Sequence, residues 1–539
     1  MTQAVDPIWA VAVASPAARA PIRVPYGMTG ALPGSTFRMP ALGSSEPPVN
    51  YFSDRGWTGE PDDPDAPNVD WPARLLEPPA IEMAVPIYPT EARRFETNAG
   101  EVILANGDGA LDNLTTDWRL AGRTCEVLRG PYQKGRRAPR ASIVTVARFR
   151  IARLAAGSSR LRLPLGSAVG ELSMPVCGTY AGTGGPEGTA AMAGQEKPWR
   201  AGLHRNVAPV QIHPGLLAYQ LHDGRIHEIM SVRARGAAVA PAGDFPTWAA
   251  LAAAVVAGGT YATCLALGIL RIGTPTTSLT VDFRGAAPAG TGYIGIPAVI
   301  AQHLLRTQGG ITADRVDVAD FVAWPWKEVR LDGAGLSVAG ALDKLAAGVG
   351  GWWGADLAGR FRGGKLARPE ATAPVLAIQP WMLSAPPDEI PESAQPPWYR
   401  VRVAYQLLGV TQAGENLVGT VSEEMRAFWG QGYQVATSYS VETQAYGAAV
   451  DGPLVESAFD TFDDAEDYAD ELLRLHAAPR RGWRIGIRSD QAWRFWDAVR
   501  PGAVVSLIWP HVRALRDGRP MVVRRFSARG DRMALELWG

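Results

Sequence analysis

From Gly100 the chain runs as short alternating segments, EVILA, TCEVL, ASIVTVARFRIARL and SRLRLPLG, each closed by turn residues. Alternation with a period of two requires a pleated surface with one buried face, and the turn residues keep every run short. This stretch is therefore read as an antiparallel meander. Upstream, residues 1–99 hold only brief strand-like pieces, IWAVAVA and APIRVPYG, and an acidic Pro run, GEPDDPDAPNVDWP. Proline removes backbone donors and breaks helices, so an extended N-terminal segment of strands and loops is expected there.

A glycine-rich loop, Cys177 to Gly194, precedes AYQLHDGRIHEIMSV, where Asp223 and Gly224 between two alternating runs predict a two-residue hairpin turn. Helices are expected over Thr247–Ala257, Pro297–Thr307 and Val338–Ala347, the last capped by Ser337. The Pro-rich stretch from Pro380 to Pro397 reads as a linker, and YRVRVAY beyond it as a half-buried strand. Thr461 opens a helix over 461–477 with Asp464 at the capping-box position, acids in its first turns, and Arg474 and His476 near its end. The C-terminus returns to strands, GAVVSLIW, PMVVRRFSA and MALELWG. GRTCEVLRGPY followed by TVARFRIARLAAGSSRLRLPL is similar to PGAVVSLIWP followed by MVVRRFSARGDRMALELWG, which suggests an internal duplication. The fold class is β-rich α+β and multidomain. The expected layout is an extended segment 1–99, a β domain 100–240, a mixed α/β domain 241–379, a linker 380–397 and a second β domain 398–539.

Composition narrows the function. At 539 residues the chain exceeds one hydrophobic core, and 47% hydrophobic with 20% charged residues lies within the globular range. The 53 basic and 53 acidic residues cancel, which removes the field expected of a protein that coats nucleic acid or anionic lipid. Cys125, Cys177 and Cys264 are scattered, odd in number and form no CxxC pair, so free thiols are expected and a disulfide framework or metal site is not. MTQAVDPIWAVAVASPAARAP lacks the basic start of a secretory signal, and synthesis in the cytoplasm follows. The uncharged run Phe245–Leu270 is split by Gly258-Gly259-Thr260 into a helix and a strand, not a membrane span.

Motifs for chemistry fail in their details. Gly290, Gly292 and Gly295 match GxGxxG, but RGAAPA separates them from the preceding strand, so no dinucleotide site is expected. GRFRGGK at Gly359–Lys365 has P-loop spacing but continues with Leu366, and it reads as the return strand of a hairpin, GWWGADLAGRFRGGKL. His213, His222, His227 and Glu228 read as surface residues of the hairpin at Asp223-Gly224. Asp62, Asp63, Asp65 and Asp70 lack calcium-loop spacing and read as a solvated loop. No cofactor, metal or catalytic set is predicted. Lys134, Arg136, Arg137 and Arg140 form the densest basic loop, a candidate contact for an acidic partner or DNA. Among eighteen tryptophans, Trp352, Trp353, Trp493 and Trp496 are candidate interface anchors.

Several segments in order resemble the tail-tip or baseplate hub proteins of tailed bacteriophages: DRGWTGEPDDPDAPNVDWPARLLEPP, GEVILANGDGALDNLTTDWRLAGRTCEVLRG, NVAPVQIHPGLLAYQLHDGRIHEI, GTYATCLALGILRIG, ALDKLAAGVGGWWGADLAGRFRGGKL and RPMVVRRFSARGDRMALELWG. The resemblance implies a non-enzymatic virion component, a homotrimer whose chains each carry two tube-like β-barrel or meander domains with a mixed α/β insertion between them. Six similar units would then face the hexameric tail tube. Asn106, Gly107, Asp108, Gly109, Leu111, Asp112, Gly122 and Arg123 would be the motif of the first such domain. Implied partners are a distal tail protein or tail tube above, the end of the tape-measure protein, and a fibre, spike or receptor-binding protein below, with transient contact to ejected DNA. The sequence shows neither an iron–sulfur ligand set nor a lysozyme-like or peptidase insertion, features of some hubs. A tail-associated peptidoglycan hydrolase and a carbohydrate- or receptor-binding tail protein are the alternatives.

Overall fold

The computed structural model describes the chain except residues 1–5, 15–48, 65–66, 113, 115–119, 133–138, 158, 446–447, 493–494 and 497–498. The prolines upstream of Gly100 do not keep that region out of the sheets. β1 (Asp6–Ala14), β2 (Val49–Ser53), β3 (Leu75–Glu77), β4 (Ala80–Ala84) and β5 (Arg94–Ala99) precede β6 (Glu101–Ala105), β7 (Thr124–Tyr132), β8 (Val144–Ile151), β9 (Ala155–Ala156) and β10 (Arg160–Gly166). One sheet runs β2-β1-β7-β8-β10-β6-β3, with β9 on β10. Ser53 bridges to Ala73 just before β3, so the sheet nearly closes into a barrel. Alternate residues fill its core, among them Val102 and Leu104, Val127, Phe149, Leu161 and Leu163. β4 and β5 leave this barrel, and their pairing with a later strand ties the two ends of the chain together.

The acidic Pro run is not wholly solvated. Asp63 is buried and its carboxylate accepts the backbone N–H of Arg140. Trp57 lies opposite Trp71 in a two-stranded pairing, and the Arg140 guanidinium sits 5.5 Å over the Trp71 ring.

The middle of the chain supplies β11 (Arg200–Val207), β12 (Ala218–Gln220), β13 (Ile226–Ala234), α1 (Trp248–Ala253), β14 (Ile269–Ile272), β15 (Leu279–Ala286), α2 (Pro297–His303), α3 (Val338–Val349), β16 (Gly351–Ala355) and β17 (Phe361–Lys365). Thr247 caps α1 and Ser337 caps α3, each accepting a backbone N–H three residues on. The buried Arg271 donates to the carbonyls of Leu251, Ala252 and Ala254 at 2.5, 3.0 and 3.1 Å, satisfying the otherwise orphaned C-terminus of α1. Among the described residues no helix is long and apolar enough to cross a membrane.

The hairpin expected at Asp223-Gly224 does not form. β12 pairs with β14 in one sheet, whereas β13 pairs with β15 in another, so residues 221–225 cross between sheets. Burial gives the reason. Leu221 and His222 are consecutive and both buried, which the in–out alternation of a hairpin does not permit. The surface placement of the histidines fails with it: His222 Nδ1 accepts the Arg200 backbone N–H at 2.9 Å, and only His227 of the group is exposed. β13, β15 and β11 share a sheet, so its strands straddle residue 240, where the sequence places a boundary.

Downstream come β18 (Leu376–Ile378), β19 (Asp388–Gln395), β20 (Trp398–Tyr405), β21 (Gln434–Tyr439), β22 (Val450–Glu456), α4 (Phe462–His476), β23 (Arg480–Ile487), β24 (Val504–Leu507), β25 (Arg519–Arg529) and β26 (Arg532–Trp538). The stretch read as a linker contains β19, paired antiparallel with β23, so Pro391 lies within an edge strand. The sheet changes at Pro396-Pro397, after which β20 pairs with β21 and β22. α4 is capped by Thr461 and lays Ala465, Tyr468, Ala469 and Leu472 into a core shared with β20, β22, α2 and α3. Residues 398–476 therefore share their main core with the central α/β region, and only the end of α4, through Leu475 and His476, reaches Val504, Val522 and Trp538 of the final strands.

His476 ends α4 inside an aromatic box, 4.1 Å from Trp398, 5.6 Å from Tyr88 and 5.8 Å from Trp538 between ring centroids. Burial, helped by the nearby Arg480 charge, lowers its pKa to about 3, and burial beside Arg200 lowers His222 likewise to about 3. Both are neutral in the fold, so they contribute stability above the free histidine value near 6.5 that is lost as pH falls toward 3. Each is expected to add up to about 1.4 kcal/mol per pH unit to the slope of unfolding free energy in that window. Urea unfolding between pH 7 and pH 4 should show a shallower slope for His476→Gln than for the wild type; an unchanged slope would remove His476 from the linkage.

Candidate functional site

The turn after β6 is built from its own side chains. Asn106 is buried; its amide donates to Asp112 at 2.8 Å and its carbonyl accepts the Leu111 N–H at 2.8 Å. Gly109 takes a positive φ of 70°, and Asp108 receives two bonds from Arg74, at 2.9 and 2.7 Å. The Arg74 hydrogen bonds hold the Asp108 carboxyl well below the usual carboxylate range. Leu111, Leu114 and Leu120 then drop into the barrel core against Val102, Leu104 and Phe149. The polar turn thus holds an apolar plug in the barrel core.

The backbone geometry just after the plug occurs twice. Gly122, at φ 79°, donates its N–H to Ile151 O at 2.7 Å, and Arg123 O accepts the Ile151 N–H at 2.9 Å. In the last part of the chain Gly502, at φ 87°, donates to Val523 O at 2.8 Å, and Ala503 O accepts the Val523 N–H at 2.9 Å. Arg123 N–H closes on Leu120 O as Ala503 N–H closes on Arg500 O, both at 3.0 Å.

The strands agree in order and register. The first unit runs β7-β8-β10-β6 and the second β24-β25-β26-β23, each from four strands that succeed one another along the chain apart from the short β9. Cys125 faces Phe149 as Val505 faces Met521. Ile151 faces Leu165 as Val523 faces Leu537, and Leu163 faces Val102 as Leu535 faces Ile485. Ala492, Phe495 and Val499 plug the second core where Leu111, Leu114 and Leu120 plug the first. An outer strand also flanks each end, β1 and β3 in the first unit, β18 and β19 in the second, although β18 is parallel to its neighbour and β1 antiparallel. Sequence comparison locates the later three strands of this repeat. It misses β6 and β23, because EVILA and RIGI share only their alternation.

Of the tryptophans singled out as interface anchors, Trp352, Trp353 and Trp496 sit at an internal seam. Trp353 is fully buried and donates to Asp343 at 2.8 Å. Trp352 and Trp496, both half-buried, line a cavity of about 190 Å³ with Phe95 and Val146, where the two units meet the β16–β17 hairpin. Trp493, Lys134, Arg136 and Arg137 lie outside the described residues. Arg140, the remaining member of the basic loop, donates to Ile143 O at 2.7 Å and covers Trp71, so it faces its own chain. Among the described residues the most exposed tryptophans are instead Trp326 and Trp381. The three cysteines are free and buried, and burial pushes the Cys125 thiol up to about 12. Among the described residues no cluster of His, Cys, Asp and Glu could hold a metal ion.

No family model and no curated protein matches the chain. Among solved structures it is similar to the 43 kDa tail protein of prophage MuSo2 from Shewanella oneidensis, at 9% identity and a TM-score of 0.37, over 86% of this chain and 92% of that one. A tail protein from Neisseria meningitidis MC58 gives 11% identity and a TM-score of 0.38 over the same shares. A chain of the virion of a native gene transfer agent particle gives 16% and 0.39, over 64% of this chain and 84% of that one.

The repeated glycines make a direct test of equivalence. A Cβ at Gly122 would meet nothing within 4 Å, and at Gly502 only ordinary contact with Trp352, so substitution costs backbone strain alone. Gly122→Ala and Gly502→Ala should each destabilise by about 1–2 kcal/mol and by similar amounts, read from denaturant midpoints at constant slope. A cost at one site and none at the other would break the equivalence.

Proposed function

We propose that the chain is a structural virion protein, the trimeric hub at the tail tip or baseplate of a bacteriophage. The observation that carries this reading is the register-matched repeat. A closed ring of three chains with two like units each presents six similar surfaces, which lets a threefold fibre or spike join a sixfold tube. The two units would be the tube-like domains, one built from residues up to Gly166 and the other from 376–395 with 480–539. The α/β region between them, including 398–476, would lie outside or below the ring. The reading assigns no catalysis to the chain; its role is in tail assembly and genome ejection. Its partners would be the distal tail protein or tube above, the tape-measure terminus, and a fibre or receptor-binding protein below. The sequence segments that resemble hub proteins, and the cancelled net charge of a chain built for protein contacts, support the same reading.

Light scattering of the purified chain over a tenfold concentration range, followed by negative-stain class averages, tests it. A trimeric ring with approximate sixfold features is the expected result. A chain that remains monomeric, and that degrades peptidoglycan or changes its tryptophan fluorescence on binding envelope sugars, would replace the hub by the hydrolase or the receptor-binding reading.

A further inference from the structure

Laying one unit on the other exposes a difference at one edge. In the second unit β25 is a single unbroken strand, and its outer edge is covered by β4, with Arg525 opposite Ala84, Phe526 opposite Met83 and Ala528 opposite Ile81. Ion pairs secure both ends of that contact, Arg529 with Glu77 and Arg524 with Glu91. The counterpart in the first unit is β8 together with β9. By the shared register Ala156 stands where Ala528 stands, and Arg153 where Arg525 stands. There the strand breaks after Ile151, and among the described residues nothing pairs with the outer edge of β9. Ala155 and Gly157 are exposed, and Arg153 and Arg160 are exposed with no ion-pair partner among the described residues. Gly157 donates inward to Arg160 O, so the alternation turns the Ala156 N–H outward. An unpaired strand edge of this kind is a template for another strand.

The topology also says where a covering strand comes from. β4 reaches the second unit from the connection between β3 and β6 of the first. The equivalent connection in the second unit, between β19 and β23, is the module of β20, β21, β22 and α4. It has two strand edges open among the described residues, β21 and β22. β22 carries Pro453, which lacks the donor that strand addition uses, whereas β21 has no proline. β21 also leaves Val435 and Tyr439 exposed, with Val441 and the acidic Glu442 just beyond.

We propose that β21 of one copy adds to the open β8–β9 edge of a second copy, so that the contact between chains repeats the β4–β25 contact within the chain. This inference rests on the hub reading, since a ring of alternating units needs two like contacts per chain. Running antiparallel as β4 does on β25, β21 would carry Glu442 to the Arg153 end of the edge, as Glu91 lies at the Arg524 end.

The test uses the full chain. Ala156→Pro removes the outward N–H and should raise the concentration at which trimers half-dissociate by about tenfold or more, while the melting temperature of the dissociated chain, read well below that concentration, is unchanged. Ala528→Pro, at the equivalent position inside the chain, should instead lower the melting temperature. Arg153→Glu, at an exposed side chain with no ion pair among the described residues, should weaken trimers in the same direction. A double variant, Ala155→Cys with Thr437→Cys, treated with a flexible bismaleimide should give dimer- and trimer-sized bands on a denaturing gel. Wild-type trimers whose midpoint is indifferent to Ala156→Pro and Arg153→Glu, and which do not crosslink, would overturn the β21 contact and leave the hub standing. A wild-type chain monomeric at every concentration would overturn both.

Discussion

The fold depends on a reciprocal pair of backbone hydrogen bonds made by a glycine and the residue after it. Gly122 and Arg123 grip Ile151 from both sides, and Gly502 and Ala503 grip Val523 in the same way. A left-handed residue is needed at the first position because the chain must turn from the apolar plug into a strand within one residue. Once that turn is made, the strand enters the sheet in a fixed register. Register decides which side chains face the core, since a slip of one residue in β7 would turn Cys125 and Val127 out of it together.

Around these two grips the chain can diverge freely. The plug is leucine-rich in one unit and aromatic in the other, and the turn before it is an Asn-Gly-Asp-Gly loop in one and Ser489-Asp490-Gln491 in the other. Cores accept such exchanges when volume and pattern are kept. Backbone geometry does not accept them, which is why glycine recurs at 122 and 502 while little else does.

The range of each interaction decides how much of this is legible in the sequence. Alternation, turn residues and caps are local, so the meander strands, the Ser337 and Thr461 caps and the β16–β17 hairpin can be read directly. Asp223-Gly224 misleads because the local hairpin signal is overridden by the burial of Leu221 and His222 at a seam between two sheets. The Pro-rich stretch before Pro397 misleads for a related reason. Proline excludes a strand from a sheet's interior but not from its edge, and β19 is an edge. Trp352 and Trp496 do sit at an interface, but that interface lies within the chain, a distinction that depends on contacts hundreds of residues apart.

The β4–β5 hairpin shows why two like units in one chain are more than two domains in series. β4 hydrogen-bonds to β25 of the second unit, while β5 passes through Gly100 directly into β6 of the first. The angle between the units is therefore set by sheet hydrogen bonds and not by a flexible linker. Trp352, Phe95 and Trp496 pack into the same seam, adding apolar contact that a hinge would have to break. In the proposed ring a rigid pair of units would help fix the rotation between neighbours, and rotation is the quantity that decides whether repeated contacts close into a ring or run on as an open filament.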